Sequence, residues 1–99
     1  MTTKDKVITT LQREKDQLLA RWPIASLALF GSVARGDQGP NSDVDILVAF
    51  NGPIGWEIVD LAEELEALLG VKVDLIPRQG LKPRYWERIA PEVLEVIHV

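Results

Sequence analysis

Apolar residues along the chain recur at helical spacing in some segments and as short strand-like runs in others. Residues 4–22 place apolar side chains mainly on one stripe, and Pro23 ends this predicted first helix. A second amphipathic helix follows a turn cluster at 51–55 and leads to Gly70, a residue suited to a C-terminal cap. A third helical segment is predicted over about 83–90.

Short apolar runs between these helices predict β-strands. They cover residues 25–30, about 43–50, 71–76 and 93–99, the last as a short edge strand. The alternation of helices and strands predicts an α/β fold class, with residues 1–99 forming a single domain whose helices cover one side of a small sheet. A chain of 99 residues can build one core but has little room for a second substrate-binding lobe.

A glycine-serine turn joins the first strand to a short helical turn. Gly31 permits a sharp turn that a side chain would obstruct. Ser32 stands where a helix begins, so it either is a plain N-cap or turns its hydroxyl and the neighbouring N–H groups toward an anion. Arg35 follows in the same turn, where it either pairs with Asp37 at the surface or contacts a phosphate or a partner.

Carboxylates stand at the start of the second strand and within the third. Asp43 and Asp45 share one face of a strand, because side chains alternate between faces. At a separation of about 6.5 Å they repel by about 2.5 kcal/mol at an effective dielectric constant near 20, so we expect a cation between them. Mg²⁺ suits this position, and Asp74 can join the pair if its strand is a neighbour. Three acids of this kind can hold two ions for an in-line displacement at phosphorus.

The combined motif resembles that of the DNA polymerase β-like nucleotidyltransferases, and most closely that of their minimal members, the antitoxin partners of HEPN toxins. The residues that carry the resemblance are Gly31-Ser32, ten intervening residues, Asp43-x-Asp45 and the later Asp74. It implies a small mixed, mostly antiparallel sheet flanked by helices. It also implies an enzyme that uses Mg²⁺ and ATP to transfer AMP to a hydroxyl, here that of a tyrosine on a HEPN ribonuclease toxin.

The resemblance also implies two groups of site residues. The residues that bind two Mg²⁺ ions and perform the catalysis are Asp43, Asp45 and Asp74. The residues that bind the nucleotide are Gly31, Ser32 and Arg35. Asp74 would in addition help to deprotonate the acceptor hydroxyl. The alternatives are nucleotidyl transfer to a small hydroxylated molecule, and an antitoxin that neutralises its partner by occlusion without any chemistry.

Composition narrows the classes of partner. A net charge of −4 argues against an extended nucleic-acid-binding surface. There is no apolar run near 18 residues and no signal-peptide pattern, and cysteine is absent, so we expect a cytoplasmic protein without a membrane partner. The oligomeric state stays open, a homo-oligomer included.

Charge is distributed unevenly along the second half of the chain. The second helix is rich in acidic residues, whereas basic side chains gather in the segment that follows the third strand: Arg78, Lys82, Arg84 and Arg88. These basic residues either form a solvated surface or meet nucleotide phosphates or an acidic partner.

Overall fold

The computed structural model describes residues 3–37, 39 and 43–99. The helices are α1 (Thr3–Arg13), α2 (Lys15–Arg21), α3 (Gly31–Arg35), α4 (Glu57–Leu69) and α5 (Pro83–Ile89). The strands are β1 (Ile24–Phe30), β2 (Val44–Phe50), β3 (Val73–Pro77) and β4 (Leu94–His98), and short 3₁₀ turns occupy Arg78–Gly80 and Ala90–Glu92. Within the described residues, no helix has the length and apolar character needed to cross a membrane.

The strands form one mixed sheet in the order β3-β2-β1-β4. β1 is antiparallel to both β2 and β4, whereas β2 and β3 run parallel. A parallel pair needs a crossover connection, and α4 supplies it between β2 and β3. The prediction of a mixed, mostly antiparallel sheet flanked by helices is therefore confirmed, as is the edge position of the last strand.

The first helix is divided into α1 and α2, so the prediction of one continuous helix over residues 4–22 was wrong. Glu14 lies between the two helices with φ −93° and ψ 7°, which is outside the helical region. The backbone hydrogen bonds nevertheless continue through the break, from Glu14 to Thr10 and from Leu18 to Glu14, each at 3.0 Å. The apolar stripe persists across such a local distortion, which explains why the spacing of apolar residues does not reveal it.

Both faces of the sheet are covered, although unequally. α1, α2 and α4 pack the larger cluster on one face, where Leu11, Leu18, Leu61 and Leu65 are almost completely buried. The other face carries a smaller cluster of Ala28, Phe30, Leu47 and Ile89, and the last of these belongs to α5. The expectation that helices cover one side only was therefore wrong, because α5 is short and its single buried residue gives a weak periodic signal.

A substitution in the middle of α4 tests which face of this helix supports the sheet. We expect Leu61→Ala to lower the free energy of unfolding by about 2–5 kcal/mol, because the side chain is 0% exposed and its removal leaves a cavity. Val59→Ala, at a 51% exposed position of the same helix, is the control and should change it by less than about 1 kcal/mol. Urea denaturation measures both, and equal losses would contradict this packing.

Candidate active site

The predicted site residues meet at one end of the sheet, where β1 ends and β2 and β3 begin. Phe30 pairs with Asp45 across β1 and β2, and Asp45 pairs with Asp74 across the parallel strands β2 and β3. Directly paired residues project from the same face, which here is the face of the smaller cluster, as shown by Leu47 and Ile76 two positions further along. The register thus places the carboxylates of Asp45 and Asp74 side by side.

The turn between α4 and β3 fixes the position of Asp74. Gly70 caps α4 in the left-handed conformation expected from the sequence, with φ +71°. The Glu66 carboxylate then accepts a hydrogen bond from the Val73 backbone N–H at 3.0 Å, one residue before Asp74. One acid of the α4 sequence therefore ties the end of the helix to the start of the strand.

Asp43 lies next to this pair but outside the strand. β2 begins at Val44, so Asp43 is an exposed residue ahead of the strand, and strand alternation does not determine its orientation. Its negative charge still acts on the half-buried Asp45, because Asp43 is among the groups that raise the pKa of Asp45.

The surroundings of Asp45 disfavour the charged form of its carboxyl group. Burial is the main cause that raises the pKa of its carboxyl group, followed by the negative charges of Asp74 and Asp43. Glu92 raises this pKa further, and the positive charge of Arg35 offsets part of the effect. The ionised form of Asp45 is therefore less favourable in the fold than in water, and a cation would relieve this cost.

Gly31 lies against the Asp45 carboxylate. Its φ is +74°, a conformation that L side chains rarely adopt, and a Cβ atom at this position would collide with Asp45 Oδ2. Ser32 is the second residue of α3 and not its N-cap, since the helix begins at Gly31 and Phe30 takes the N-cap position. The absence of a side chain at Gly31 thus leaves the space in which the carboxylate sits.

Arg35 forms the surface ion pair with Asp37 that the sequence predicted as one alternative. It also contacts Glu92, which the sequence did not predict. Its Nε donates to Asp37 at 3.1 Å, and its Nη1 donates to Glu92 at 2.7 Å. The hydrogen bond to Glu92, followed by the one to Asp37, raises the pKa of Arg35 above its ordinary value. Glu92 also accepts the Gly31 backbone N–H at 3.2 Å. No local motif marks Glu92, which lies 61 residues after Gly31, so sequence reasoning missed it.

The basic segment does not converge on the acids as a group. Arg78 pairs with Glu95 at 2.9 Å and lies 4.9 Å from the ring centre of Trp86, so it is engaged within the fold. Lys82, Arg84 and Arg88 are exposed at or within α5. The interpretation as a solvated surface therefore fits these last three residues.

The carboxylates suit a divalent cation without forming a closed cage for it. Among residues 3–37, 39 and 43–99, no three or more His, Cys, Asp or Glu side chains are arranged to hold a metal ion. Mg²⁺, however, commonly binds through one or two carboxylates and keeps its other positions for water and substrate phosphates. The mutually repelling pair of Asp45 and Asp74, with the space left by Gly31, fits such an open site.

Adjacent carboxylates beside a glycine turn, on a mixed sheet, are the arrangement that the resemblance to the nucleotidyltransferases implies. Comparison with known families agrees, because the sequence profile of the nucleotidyltransferase domain matches residues 11–95. The chain belongs to this family, and within it to the minimal nucleotidyltransferases.

Relatives of known name and structure cover nearly the whole chain. It is 37% identical over 97 residues to the protein adenylyltransferase MntA of Thermococcus cleftensis. This match covers 97% of this chain and 98% of the relative. A solved structure provisionally identified as a minimal nucleotidyltransferase is 38% identical, with a TM-score of 0.70, and the match covers 88% of this chain and 93% of that one.

A more distant solved structure shares the fold. It is a complex of tri-AMPylated Shewanella oneidensis HEPN toxin with MNT antitoxin, matched at 18% identity with a TM-score of 0.61. The match covers 98% of this chain and 71% of that one.

The contact between Gly31 and Asp45 can be tested by adding one methyl group. We expect Gly31→Ala to destabilise the fold more than Gly70→Ala, because both positions have positive φ but only the first has a carboxylate in the way. Nothing lies within 4 Å of the position that a Cβ atom would take at Gly70. Chemical denaturation of both variants measures the difference, and equal losses would show that Gly31 is required for its backbone conformation alone.

The raised pKa of Asp45 predicts an unusual effect of removing its charge. A carboxyl group whose pKa is raised by folding stabilises the protein below its ordinary pKa, near 3.8, and this contribution is lost as the pH rises through the raised value. At pH 7 with EDTA, we therefore expect Asp45→Asn to raise the melting temperature. This gain should shrink on acidification.

Asp60→Asn is the matched control for this experiment. Asp60 is exposed in the first turn of α4, where a negative charge is favourable, so its removal should bring no gain. Differential scanning calorimetry between pH 4 and pH 7 compares the two variants. A lower melting temperature for Asp45→Asn at pH 7 would contradict the electrostatic description of the site.

Proposed function

We propose that this chain is a Mg²⁺- and ATP-dependent protein adenylyltransferase that modifies a tyrosine of a HEPN ribonuclease toxin and so acts as its antitoxin. The observation that carries the proposal is the side-by-side placement of Asp45 and Asp74, with the Asp45 carboxylate lying against the backbone of Gly31. The similarity to the MntA protein adenylyltransferase supports the reaction, and the shared fold of the antitoxin bound to an AMPylated HEPN toxin is consistent with the partner.

The acidic residues would hold the metal ions. Asp45 and Asp74 are adjacent and project from one face, and Asp43 is close enough for its charge to act on Asp45. Bound Mg²⁺ would stabilise the negative charge that develops on the attacking and leaving oxygens. The carboxylates would bind and orient these ions, and Asp74 would accept the proton of the acceptor hydroxyl.

The turn and helix α3 would hold the triphosphate. Gly31 and Ser32 form the first turn of α3, where the Gly31 N–H is taken by Glu92 and the Ser32 hydroxyl and the following backbone N–H groups are suited to an anion. Arg35 stands at the other end of this helix with its side chain 47% exposed, so a phosphate can reach its guanidinium group. All three residues lie within five positions of one another, next to the acids.

The proposed reaction is a single displacement at the α-phosphorus of ATP. The tyrosine oxygen forms a bond to this phosphorus, and the bond between the phosphorus and the oxygen that bridges to the β-phosphate breaks. AMP is then joined to the tyrosine as a phosphodiester, and pyrophosphate leaves. The hydroxyl proton passes to Asp74.

An exposed aromatic residue supports a protein as the acceptor. Trp56 is 90% exposed, so it does not pack into the core. Val59, one helical turn further on, is 51% exposed. Tryptophan is enriched in the surfaces through which proteins bind one another.

Transfer of label to the toxin tests the proposed reaction. With α-labelled ATP, Mg²⁺ and purified HEPN toxin, we expect label on the toxin, and we expect Asp45→Asn and Asp74→Asn to reduce the rate at least about 100-fold. Glu63→Gln removes an exposed charge from α4 and should leave the rate unchanged. An unlabelled toxin, or full labelling by Asp45→Asn, would overturn the proposal.

The same material separates the two alternatives. If the double variant Asp43→Asn, Asp45→Asn still neutralises the toxin completely, the antitoxin acts by occlusion. If this variant binds the toxin but no longer protects, neutralisation requires catalysis. Transfer of AMP to a small hydroxylated compound in the absence of any second protein would instead favour a small-molecule acceptor.

A further inference from the structure

The carboxylate of Glu92 holds both ends of helix α3. Its Oε1 accepts the backbone N–H of Gly31 at 3.2 Å, and its Oε2 accepts Nη1 of Arg35 at 2.7 Å. Gly31 is the first residue of this helix and Arg35 is the last. A single side chain from the turn before β4 therefore fixes a helix that lies about 60 positions earlier in the chain.

Helix α3 depends on such external support. It has five residues, which is too short for its own hydrogen bonds to offset the cost of forming a helix. Its N-cap, Phe30, provides no side-chain hydrogen bond. Val33, which is 1% exposed, and Ala34 pack the helix against the larger core cluster, and Glu92 adds hydrogen bonds that include a charged pair.

The hydrogen bond to Glu92 orients the guanidinium group of Arg35 but uses only one of its N–H donors. Arg35 donates Nη1 to Glu92 and Nε to Asp37, and a guanidinium group has five N–H donors in a rigid plane. The remaining donors can face a ligand, because the side chain is 47% exposed. Glu92 itself has the wrong charge to bind a phosphate, and its side chain is only 23% exposed.

We propose that Glu92 is a positioning residue for nucleotide binding, which acts by holding Arg35 and α3 in the orientation that the triphosphate requires. This inference rests on the proposed function, in which Arg35 contacts a phosphate. It assigns to the turn at Ala90–Glu92 a part in the nucleotide site, although this turn carries none of the motif residues.

A double-mutant cycle on nucleotide affinity tests this role. Calorimetric titration with AMP-PNP and Mg²⁺ gives the Kd of the wild type, Glu92→Gln, Arg35→Ala and the double variant. We expect Glu92→Gln to weaken binding about tenfold, within the usual range of coupling between contacting residues. In the Arg35→Ala background the same substitution should have no further effect, because the group through which Glu92 acts is gone.

Glu95→Gln is the matched control. Glu95 lies in β4, three positions after Glu92, and pairs with a different arginine, Arg78, at 2.9 Å. The substitution removes the same charge and should leave the Kd unchanged. Glu92→Asp is a second test variant that keeps the charge but shortens the reach, and we expect weaker binding here too. Thermal denaturation of each variant verifies that it is folded.

Three results would overturn the inference while leaving the proposed transfer of AMP to the toxin intact. Tighter binding by Glu92→Gln would mean that this carboxylate competes with the nucleotide. Equal losses with and without Arg35 would mean that Glu92 does not act through it, and an unchanged Kd for Arg35→Ala would remove the assumed phosphate contact. Failure of the wild type and all variants to bind the nucleotide would instead reject the proposed function itself.

Discussion

The close approach of the Asp45 carboxylate to the Gly31 backbone is the constraint on which the site depends. It requires a residue without a side chain at the end of β1, and it brings a partly buried negative charge to a position beside two further acids. Neither feature improves the stability of a small domain. Burial and like charges both disfavour the ionised carboxylate, and the glycine loses more backbone entropy on folding than another residue would. Such costs are typical of a site that is completed by a positively charged ligand.

The order of the strands explains why the acids meet where they do. Asp45 is the second residue of β2 and Asp74 is the second residue of β3, and these strands are parallel and adjacent. Parallel neighbours start at the same end of the sheet, so residues at equivalent positions stand side by side. An antiparallel arrangement of the same strands would have placed these carboxylates at opposite ends. The crossover through α4 is thus part of the site, since it sets the direction of β3.

The sequence predicted the elements and the motif better than it predicted contacts across the chain. Strand alternation and the glycine-serine spacing are local signals, and they led to Gly31, Asp45 and Asp74. Apolar periodicity is insensitive to the local break at Glu14, which leaves the apolar stripe intact, and to the packing of α5 on the second face, which depends on tertiary contacts. The orientation of the Asp43 side chain could not be predicted either. β2 begins at Val44, one residue after Asp43, so strand alternation does not apply to Asp43.

Glu92 shows why the last part of the site could not be predicted. Its role arises only when β4 pairs with β1, because this pairing brings the turn at Ala90–Glu92 alongside α3. The order of the chain therefore separates the two halves of the proposed nucleotide site: the turn that contains Arg35 comes early, and Glu92, which bonds to it, comes much later. Helix α3, with five residues, is too short to be stable by itself, and Glu92 bonds to both of its ends. The two segments therefore depend on each other. In a protein this small, the edge strand that closes the sheet also completes the surroundings of the site.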